Sequence, residues 1–333
     1  MSKNYAVVGA TGAVGVEILK VLENRNVDVG QLKLLASPRS AGKTMTFRGK
    51  EYTVEALSED SFHDVQVALF SAGGSISKQY GPVAVSSGCV VVDNSSAFRM
   101  DPEVPLVVPE INPEAVKLHK GIIANPNCST IILLMAVYPI YRLYGVKKII
   151  VSTYQAASGA GAAAMQELED QAKAHLAGTE VPTNILPHQL AFNVFSHNSP
   201  MDPESGYNQE EVKMIKETHK ILGDANIAIA PTCVRVSTFR AHAESIHLEL
   251  REKGDVEKMR EALAAFPGVK VLDNRQANRF PMPLEVSGKD DVYVGRVRMD
   301  YDDQSGTNVQ LFVVGDQLLK GAALNAVQIA ELL

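Results

Sequence analysis

Tyr5-Ala6-Val7-Val8-Gly9-Ala10-Thr11-Gly12-Ala13-Val14-Gly15 is the stretch on which the fold turns. Its first four residues have the pattern of a short buried strand, the glycines then recur every third residue, and segment 16–23 continues as an amphipathic helix. Strand, glycine turn and helix open a βαβ unit and predict a Rossmann-like domain. Small residues let the backbone approach a pyrophosphate, and the helix N-terminus supplies N–H donors to it. The spacing is G-x-x-G-x-x-G rather than G-x-G-x-x-G, and a tight turn without a ligand can look the same. Its place at the start of a βαβ unit favours a dinucleotide, with Gly9, Thr11, Gly12, Ala13 and Val14 as the contacts.

The next apolar run, Leu32-Lys33-Leu34-Leu35-Ala36, ends in Ser37-Pro38-Arg39-Ser40. An NAD-binding protein usually places Asp or Glu at this point to hold the ribose hydroxyls. No carboxylate stands here to repel a 2′-phosphate, while Ser37, Arg39 and Ser40 offer two hydroxyls and a guanidinium to bind one. NADP is therefore favoured as cofactor. A polar loop with a solvated Arg39 is the other reading of the same residues.

Asn125-Pro126-Asn127-Cys128-Ser129-Thr130 sets a lone cysteine between a turn and the apolar segment 131–144, which reads as a buried helix. Cys128 then stands at the helix N-terminus, where unpaired N–H groups and the helix dipole favour a thiolate. Such a thiolate could attack a carbonyl and form a thioester. Free cysteine is otherwise a small buried hydrophobe, and Cys89, inside Cys89-Val90-Val91-Val92, is read that way.

At 333 residues the chain exceeds the usual size of one core, so two domains are expected. A net charge of −6 without a basic run argues against a nucleic-acid partner. No window approaches the ~20 apolar residues of a membrane span, and the first four residues lead straight into a strand, leaving no signal peptide. Three cysteines make no disulfide framework and no metal site is read, so a cytoplasmic location is expected.

Segments 65–70, 88–92 and 121–124 read as further parallel strands with a helix at 77–87. The carboxyl-end rule for such sheets gathers the glycine turn, Ser71-Ala72-Gly73-Gly74, Asn94-Ser95-Ser96 and Cys128 along one edge. From Lys147 the pattern changes: strand 147–154, helix 160–176 and helix 208–222, closed by Gly223, precede strands at 227–237, 242–250, 292–301 and 309–314 that suggest an antiparallel sheet. Segments 179–206 and 273–289 read as loops. Residues 316–333 read as one helix with Leu318, Leu319, Ala322, Ala326 and Ile329 on its apolar face. Among eight histidines, His242 stands out because the segment from Cys233 to it joins two strands and carries Arg235 as well. Glu210 and Lys213 are i, i+3 neighbours, and spacing alone makes them an ordinary helical ion pair.

Over essentially its whole length the chain resembles the aspartate-β-semialdehyde dehydrogenase family. The resemblance rests on Gly9 to Gly15, Asn94-Ser95-Ser96-Ala97-Phe98-Arg99, Val108-Pro109-Glu110-Ile111-Asn112, Asn125 to Thr130, Thr153-Tyr154-Gln155-Ala156-Ala157-Ser158-Gly159-Ala160-Gly161 and Lys320-Gly321-Ala322-Ala323. It implies an α/β chain with a Rossmann-like NADP-binding domain of residues 1–127 and 316–333. Residues 128–315 would form an α+β catalytic and dimerisation domain with a mixed or antiparallel sheet. The implied reaction is NADPH-dependent reductive dephosphorylation of β-aspartyl phosphate to aspartate β-semialdehyde and phosphate, on the route to lysine, threonine, methionine and isoleucine. Cys128 would be the nucleophile, His242 the acid/base and Gln155 the group that orients the acyl intermediate. Arg235 would pair with the substrate α-carboxylate and Glu210 with its α-ammonium, and Arg99 and Lys213 would bind phosphate. Ser158, Gly159 and Gln317 would contact the cofactor, Gln317 standing where many relatives carry Asn. The family also implies a homodimer or a dimer of dimers.

Two other readings compete. An N-acetylglutamyl-phosphate reductase of the same architecture would show Asn-Pro-Gly-Cys around the nucleophile, and Asn127 argues against it. A non-catalytic NADP-binding protein has no use for Cys128, Gln155, Arg235 and His242 together.

Overall fold

In the computed structural model, which describes residues 2–333, the first strand β1 (Lys3–Val8) ends in Ala6, Val7 and Val8 with no exposed surface. It is followed by α1 (Ala13–Asn24), β2 (Val29–Ala36), β3 (Thr44–Phe47), β4 (Lys50–Ala56), β5 (Val67–Phe70), α2 (Gly74–Ser86), β6 (Val90–Asp93) and β7 (Ile122–Ala124). The strands form one sheet in the order β3-β4-β2-β1-β5-β6-β7, parallel throughout except at the β3/β4 hairpin. Because β2 and β5 flank β1 on opposite sides, the crossovers diverge there and the carboxyl end of β1 is a topological switch point. The C-terminal helix Leu324–Glu331 completes this unit. It packs on α1, and Asn325 Nδ2 donates to Val107 O at 2.9 Å and to Asn125 Oδ1 at 2.7 Å.

The chain divides into two compact units, residues up to Asn127 with Gly321–Leu333, and Cys128–Lys320. The second holds α3 (Cys128–Tyr144), β8 (Val146–Gln155), α4 (Ala162–Ala177), β9 (Val194–Ser196), α5 (Gln209–Leu222), β10 (Ala228–Val236), β11 (His242–Leu250), α6 (Val256–Ala265), β12 (Val269–Val271), α7 (Pro283–Val286), β13 (Val292–Met299) and β14 (Asn308–Gly315). Its sheet runs β12-β13-β14-β11-β8-β10-β9. Along β8 burial alternates: Ile149, Val151, Thr153 and Gln155 are buried, whereas Ile150 and Tyr154 are exposed on the opposite face. Helix α3 is apolar all round through its first half, where Ile131 to Val137 have no exposed surface, so its N-terminus is held by the packing next to it.

The second sheet is mixed, one of the two arrangements expected, because β8 pairs with β10 and β12 with β13 in parallel. Two expectations are corrected. The segments read as loops hold β9 and α7, elements of three and four residues, too short to show a period. Residues 316–333 are not one helix. Asp316 accepts from Arg240 Nε at 2.6 Å, a π-helical turn spans Leu319–Ala323, and the α-helix starts only at Leu324. Residues 316–320 group with the second unit rather than with the first.

Candidate active site

At the end of β1 the chain turns through Gly9, whose φ of +84° suits glycine and whose added Cβ would lie 2.8 Å from Ser71 O. A Cβ at Gly15 would lie 2.2 Å from Gly9 O, so the turn and the first turn of α1 close on each other only without side chains. Gly12 precedes α1 and offers no side chain to cap the first N–H groups. That donor set fits a pyrophosphate at the helix N-terminus. Thr11 Oγ1 donates to Ser40 Oγ at 3.4 Å and joins this turn to the one at Pro38–Ser40, where Ser37 and Arg39 are exposed. Two groups of residues picked out separately in the sequence thus come together in the first unit. Arg99 is also in this unit, its Nε donating to Asn125 O at 2.9 Å and its Nη2 to Asn94 O at 2.8 Å.

In the second unit Cys128 is the first residue of α3 and is partly exposed. The next residue, Ser129, accepts at Oγ from Gln155 Nε2 at 3.0 Å, and the same amide lies 3.4 Å from Glu210 Oε1. The β8/β10 register places Arg235 directly beside Gln155. Glu210 arrives through the start of α5, where Asn208 and Glu211 form a reciprocal capping box. Glu211 Oε1 also accepts from Cys233 N at 2.9 Å, pinning the first turn of α5 to β10. Glu210 is 4 % exposed and accepts from Lys213 Nζ at 3.1 Å, so the helical ion pair exists and faces into the cluster.

Arg235 is almost wholly buried, and three acceptors fix its guanidinium: Ala156 O at 2.9 Å from Nη1, and His197 Nε2 at 2.8 Å and Asn198 Oδ1 at 3.1 Å from Nη2. Burial lowers its pKa, opposed by the negative charges of Glu210 and Cys128. His197 is held neutral, its pKa brought down to about 4 chiefly by burial. Ser199 N approaches Nδ1 at 3.1 Å, but a proton on Nε2 would oppose the Arg235 N–H at 2.8 Å. The proton therefore sits on Nδ1, which donates to Ser199 Oγ at 3.1 Å.

His242 begins β11 with no exposed surface, and its Nδ1 accepts from Ala156 N at 3.1 Å. The neutral ring consequently carries its proton on Nε2, an atom with no partner among the described residues. Burial first, and Arg235 second, bring its pKa down to about 3. Ala241, just before it, has a φ of +68°, strain of about 1–3 kcal/mol for a non-glycine residue. That turn is held by Gln317 Oε1, which accepts from Ala241 N at 3.0 Å, while Gln317 Nε2 donates to Ser158 Oγ. Gly159 faces both side chains: a Cβ there would lie 3.0 Å from His242 Nε2 and 3.1 Å from Arg235 Nη1.

Cys128, Gln155, Gly159, Glu210, Lys213, Arg235 and His242 are thus gathered in one unit. Sequence reasoning missed His197 and Asn198, which follow the three-residue strand β9 inside a segment read as loop. It also missed Ala241, whose positive φ no local pattern announces.

Two family models match the chain, the NAD binding domain of semialdehyde dehydrogenase at residues 4–119 and the semialdehyde dehydrogenase dimerisation domain at residues 137–320. The aspartate-semialdehyde dehydrogenase of Aquifex aeolicus is 54% identical over 100% of this chain and 98% of its own. That of Synechocystis is 52% identical over 98% of this chain and 96% of its own. A crystal structure of aspartate semialdehyde dehydrogenase II from Vibrio cholerae, complexed with ASA, superposes with a TM-score of 0.96 at 46% identity, covering 100% of this chain and 98% of that one. With a nicotinamide-dinucleotide-binding unit and a dimerisation domain in this order, the chain belongs to the aspartate-semialdehyde dehydrogenase family.

Proposed function

We propose that this chain reduces β-aspartyl phosphate to aspartate β-semialdehyde with release of phosphate, in the synthesis of the aspartate-derived amino acids. The observation that carries this reading is the placement of the Cys128 thiol at a helix N-terminus in one cluster with Arg235, Glu210, Gln155 and His242. The Cys128 thiolate attacks the acyl carbon, the bond from that carbon to the phosphate oxygen breaks, and phosphate leaves with the bonding pair. When bound, NADPH would supply the hydride for the resulting thioester. The Nε2–H of His242 shares its proton with the oxygen that becomes negative, and the proton stays on the ring. As the tetrahedral oxyanion collapses, the C–S bond breaks, the aldehyde leaves and the thiolate returns. In the reverse direction the same N–H meets the oxyanion that forms when the thiolate adds to the aldehyde. Gln155, tied to Ser129, orients the acyl group.

Arg235 holds the substrate α-carboxylate with the guanidinium N–H groups that Ala156 O, His197 and Asn198 leave over, and Glu210 meets the α-ammonium. Lys213 and Arg99 are the cations for phosphate. Glu210 also argues for a free amino group: an N-acetylated substrate would leave a buried carboxylate facing a neutral amide. For the cofactor, the absence of an acidic residue in 37–40 and the exposure of Arg39 support NADP, bound by Gly9, Thr11, Gly12, Ala13, Val14, Ser37, Arg39 and Ser40. Ser158, Gly159 and Gln317 are further cofactor contacts in this reading. Ile150 and Tyr154, exposed on the open face of the second sheet, support a homodimer, and a cytoplasmic location belongs to the same reading.

The test is phosphate-dependent NADP reduction with aspartate semialdehyde and, separately, with N-acetylglutamate semialdehyde. Turnover of the first alone is expected, and it should vanish in Cys128→Ser with NADP binding retained, because an alkoxide is far scarcer than a thiolate at neutral pH. Near-normal turnover in that variant would remove Cys128 from the mechanism.

A further inference from the structure

Three strands across the second sheet from β8, the turn after β12 and the irregular part of β13 enclose a hollow of about 450 Å³. Arg275, Arg279, Arg296 and Arg298 line it together with Asn274, Asn278 and Phe280. Asp273 is the only carboxylate in its wall, and it already accepts from Arg260 and, at 3.2 Å, from Val297 N. In a chain of net charge −6, four arginines around one hollow are a local gathering of positive charge, offset in part by Asp273, by Glu285 paired with Arg279 at 2.8 Å and by Asp300 acting on Arg298.

The hollow is built. Asn274 and Arg279 exchange backbone hydrogen bonds at 3.0 and 2.9 Å, closing the turn, and Arg275 Nη2 donates to Val297 O at 2.9 Å, locking the turn onto β13. The β13/β14 register breaks between Gly295 and Arg298, and within that bulge Arg296 takes a φ of +57°. A bulge of this kind re-aims a side chain. It places Arg296 in the same wall as Arg279 and Arg298, whose own N–H groups go to Glu285, and to Gln310 and Arg296 O. Arg296 and Arg298 repel one another, and the guanidinium of Arg298 is correspondingly less basic than usual, after the larger effect of its partial burial. Planar forks of this number match oxyanions better than they match water or one another.

We propose that this hollow binds a small polyphosphate, separate from the cluster around Cys128. Its volume exceeds what a single phosphate fills, and Phe280 at its wall gives a base or other flat group a surface to rest on. The common chemistry is a chain of two or three phosphoryl groups, either free or carried by a nucleotide.

The test is calorimetric titration of the full-length protein with tripolyphosphate and with ATP, in wild type and in Arg296→Asn/Arg279→Gln. Asparagine tolerates the left-handed backbone at 296, so this variant removes charge with the least change of shape. Both ligands are expected to bind the wild type and to lose at least tenfold in affinity in the variant, with kcat and KM for aspartate semialdehyde unchanged. A tighter fit of ATP than of tripolyphosphate would assign the site to nucleotides, and equal affinity to the free anion. Unchanged affinity in the variant overturns the proposal, as does loss of binding in Lys213→Ala instead, which would place the anion at the catalytic cluster. A variant that dissociates the oligomer in sedimentation while still binding both ligands would overturn it too, by making the hollow a contact between copies. Wild-type crystals soaked in selenate give an answer without any variant. Anomalous density among the four arginines is expected, and its absence there counts against the site.

Discussion

His197 accepts from Arg235 Nη2 through Nε2 at 2.8 Å, and this contact decides both the tilt of the guanidinium and the tautomer of the ring. With Asn198 and Ala156 O as the other acceptors, Arg235 has one orientation available, so the carboxylate proposed to bind it would meet a preset guanidinium rather than a mobile side chain.

His197→Phe should therefore keep the fold but raise KM for aspartate semialdehyde by about tenfold, the usual consequence of removing one hydrogen bond to a charged group. His197→Gln, which retains an acceptor, should recover part of the loss. Steady-state kinetics decide the matter, and equal KM values in both variants and the wild type would reduce His197 to packing.

Protonation gives a second test. The folded chain refuses a proton at His197 until about pH 4 and at His242 until about pH 3, whereas an unfolded histidine accepts one near 6.5. Below pH 6.5 the unfolded state thus binds more protons, and stability should fall with pH by about 1.4 kcal/mol per unit for each histidine. Glu244 acts in the opposite sense. It is fully buried with both carboxylate oxygens unpartnered, and burial holds its pKa well above 4.5, so its contribution is lost as pH rises from 4.5 through the folded pKa. Melting curves between pH 4 and 8 should show both slopes, and Glu244→Gln should raise Tm at pH 8 while leaving the acid limb in place. A variant less stable than the wild type at pH 8 would mean that the carboxyl group is satisfied in solution.

How much of this was legible depended on how local each signal is. The Gly9 turn and the entry of Cys128 into α3 are written in consecutive residues, and their structure follows from backbone sterics and apolar periodicity. The β3/β4 hairpin carried no such mark, since its turn uses Arg48 at φ +50° before Gly49, where asparagine or aspartate would have signalled it. His197 is 38 residues from Arg235 and joins it only because β9 adds to the edge of β10. The placement of Glu210 and Lys213 depends likewise on a long-range tie, the Cys233 N–H bond to Glu211, that no spacing rule contains.

Arg39→Ala tests the cofactor. The side chain is exposed next to Ser40, which Thr11 ties to the glycine turn. If Arg39 meets a 2′-phosphate, its loss should weaken NADPH by about ten- to a hundredfold, the range of a charge-assisted hydrogen bond, and leave NADH nearly unaffected. Fluorescence titration with the two cofactors separates the outcomes, and equal losses would make Arg39 a solvated surface residue.

Arg235→Lys asks whether geometry or charge holds the substrate. Lysine keeps the positive charge, but the three donors of an ammonium are all spent on Ala156 O, His197 and Asn198, whereas the guanidinium has five and keeps some for a carboxylate. The substrate should sit displaced by about 1 Å, enough to cost on the order of 10²-fold in rate, with KM raised, kcat lowered and NADP affinity unchanged. A semialdehyde lacking the α-carboxylate separates a binding role from a structural one. It should be a poor substrate for the wild type and no poorer for the variant, since neither enzyme can use the fork on it. If Arg235→Lys instead handles aspartate semialdehyde as the wild type does, the buried guanidinium serves the fold alone and the carboxylate must be bound by another group.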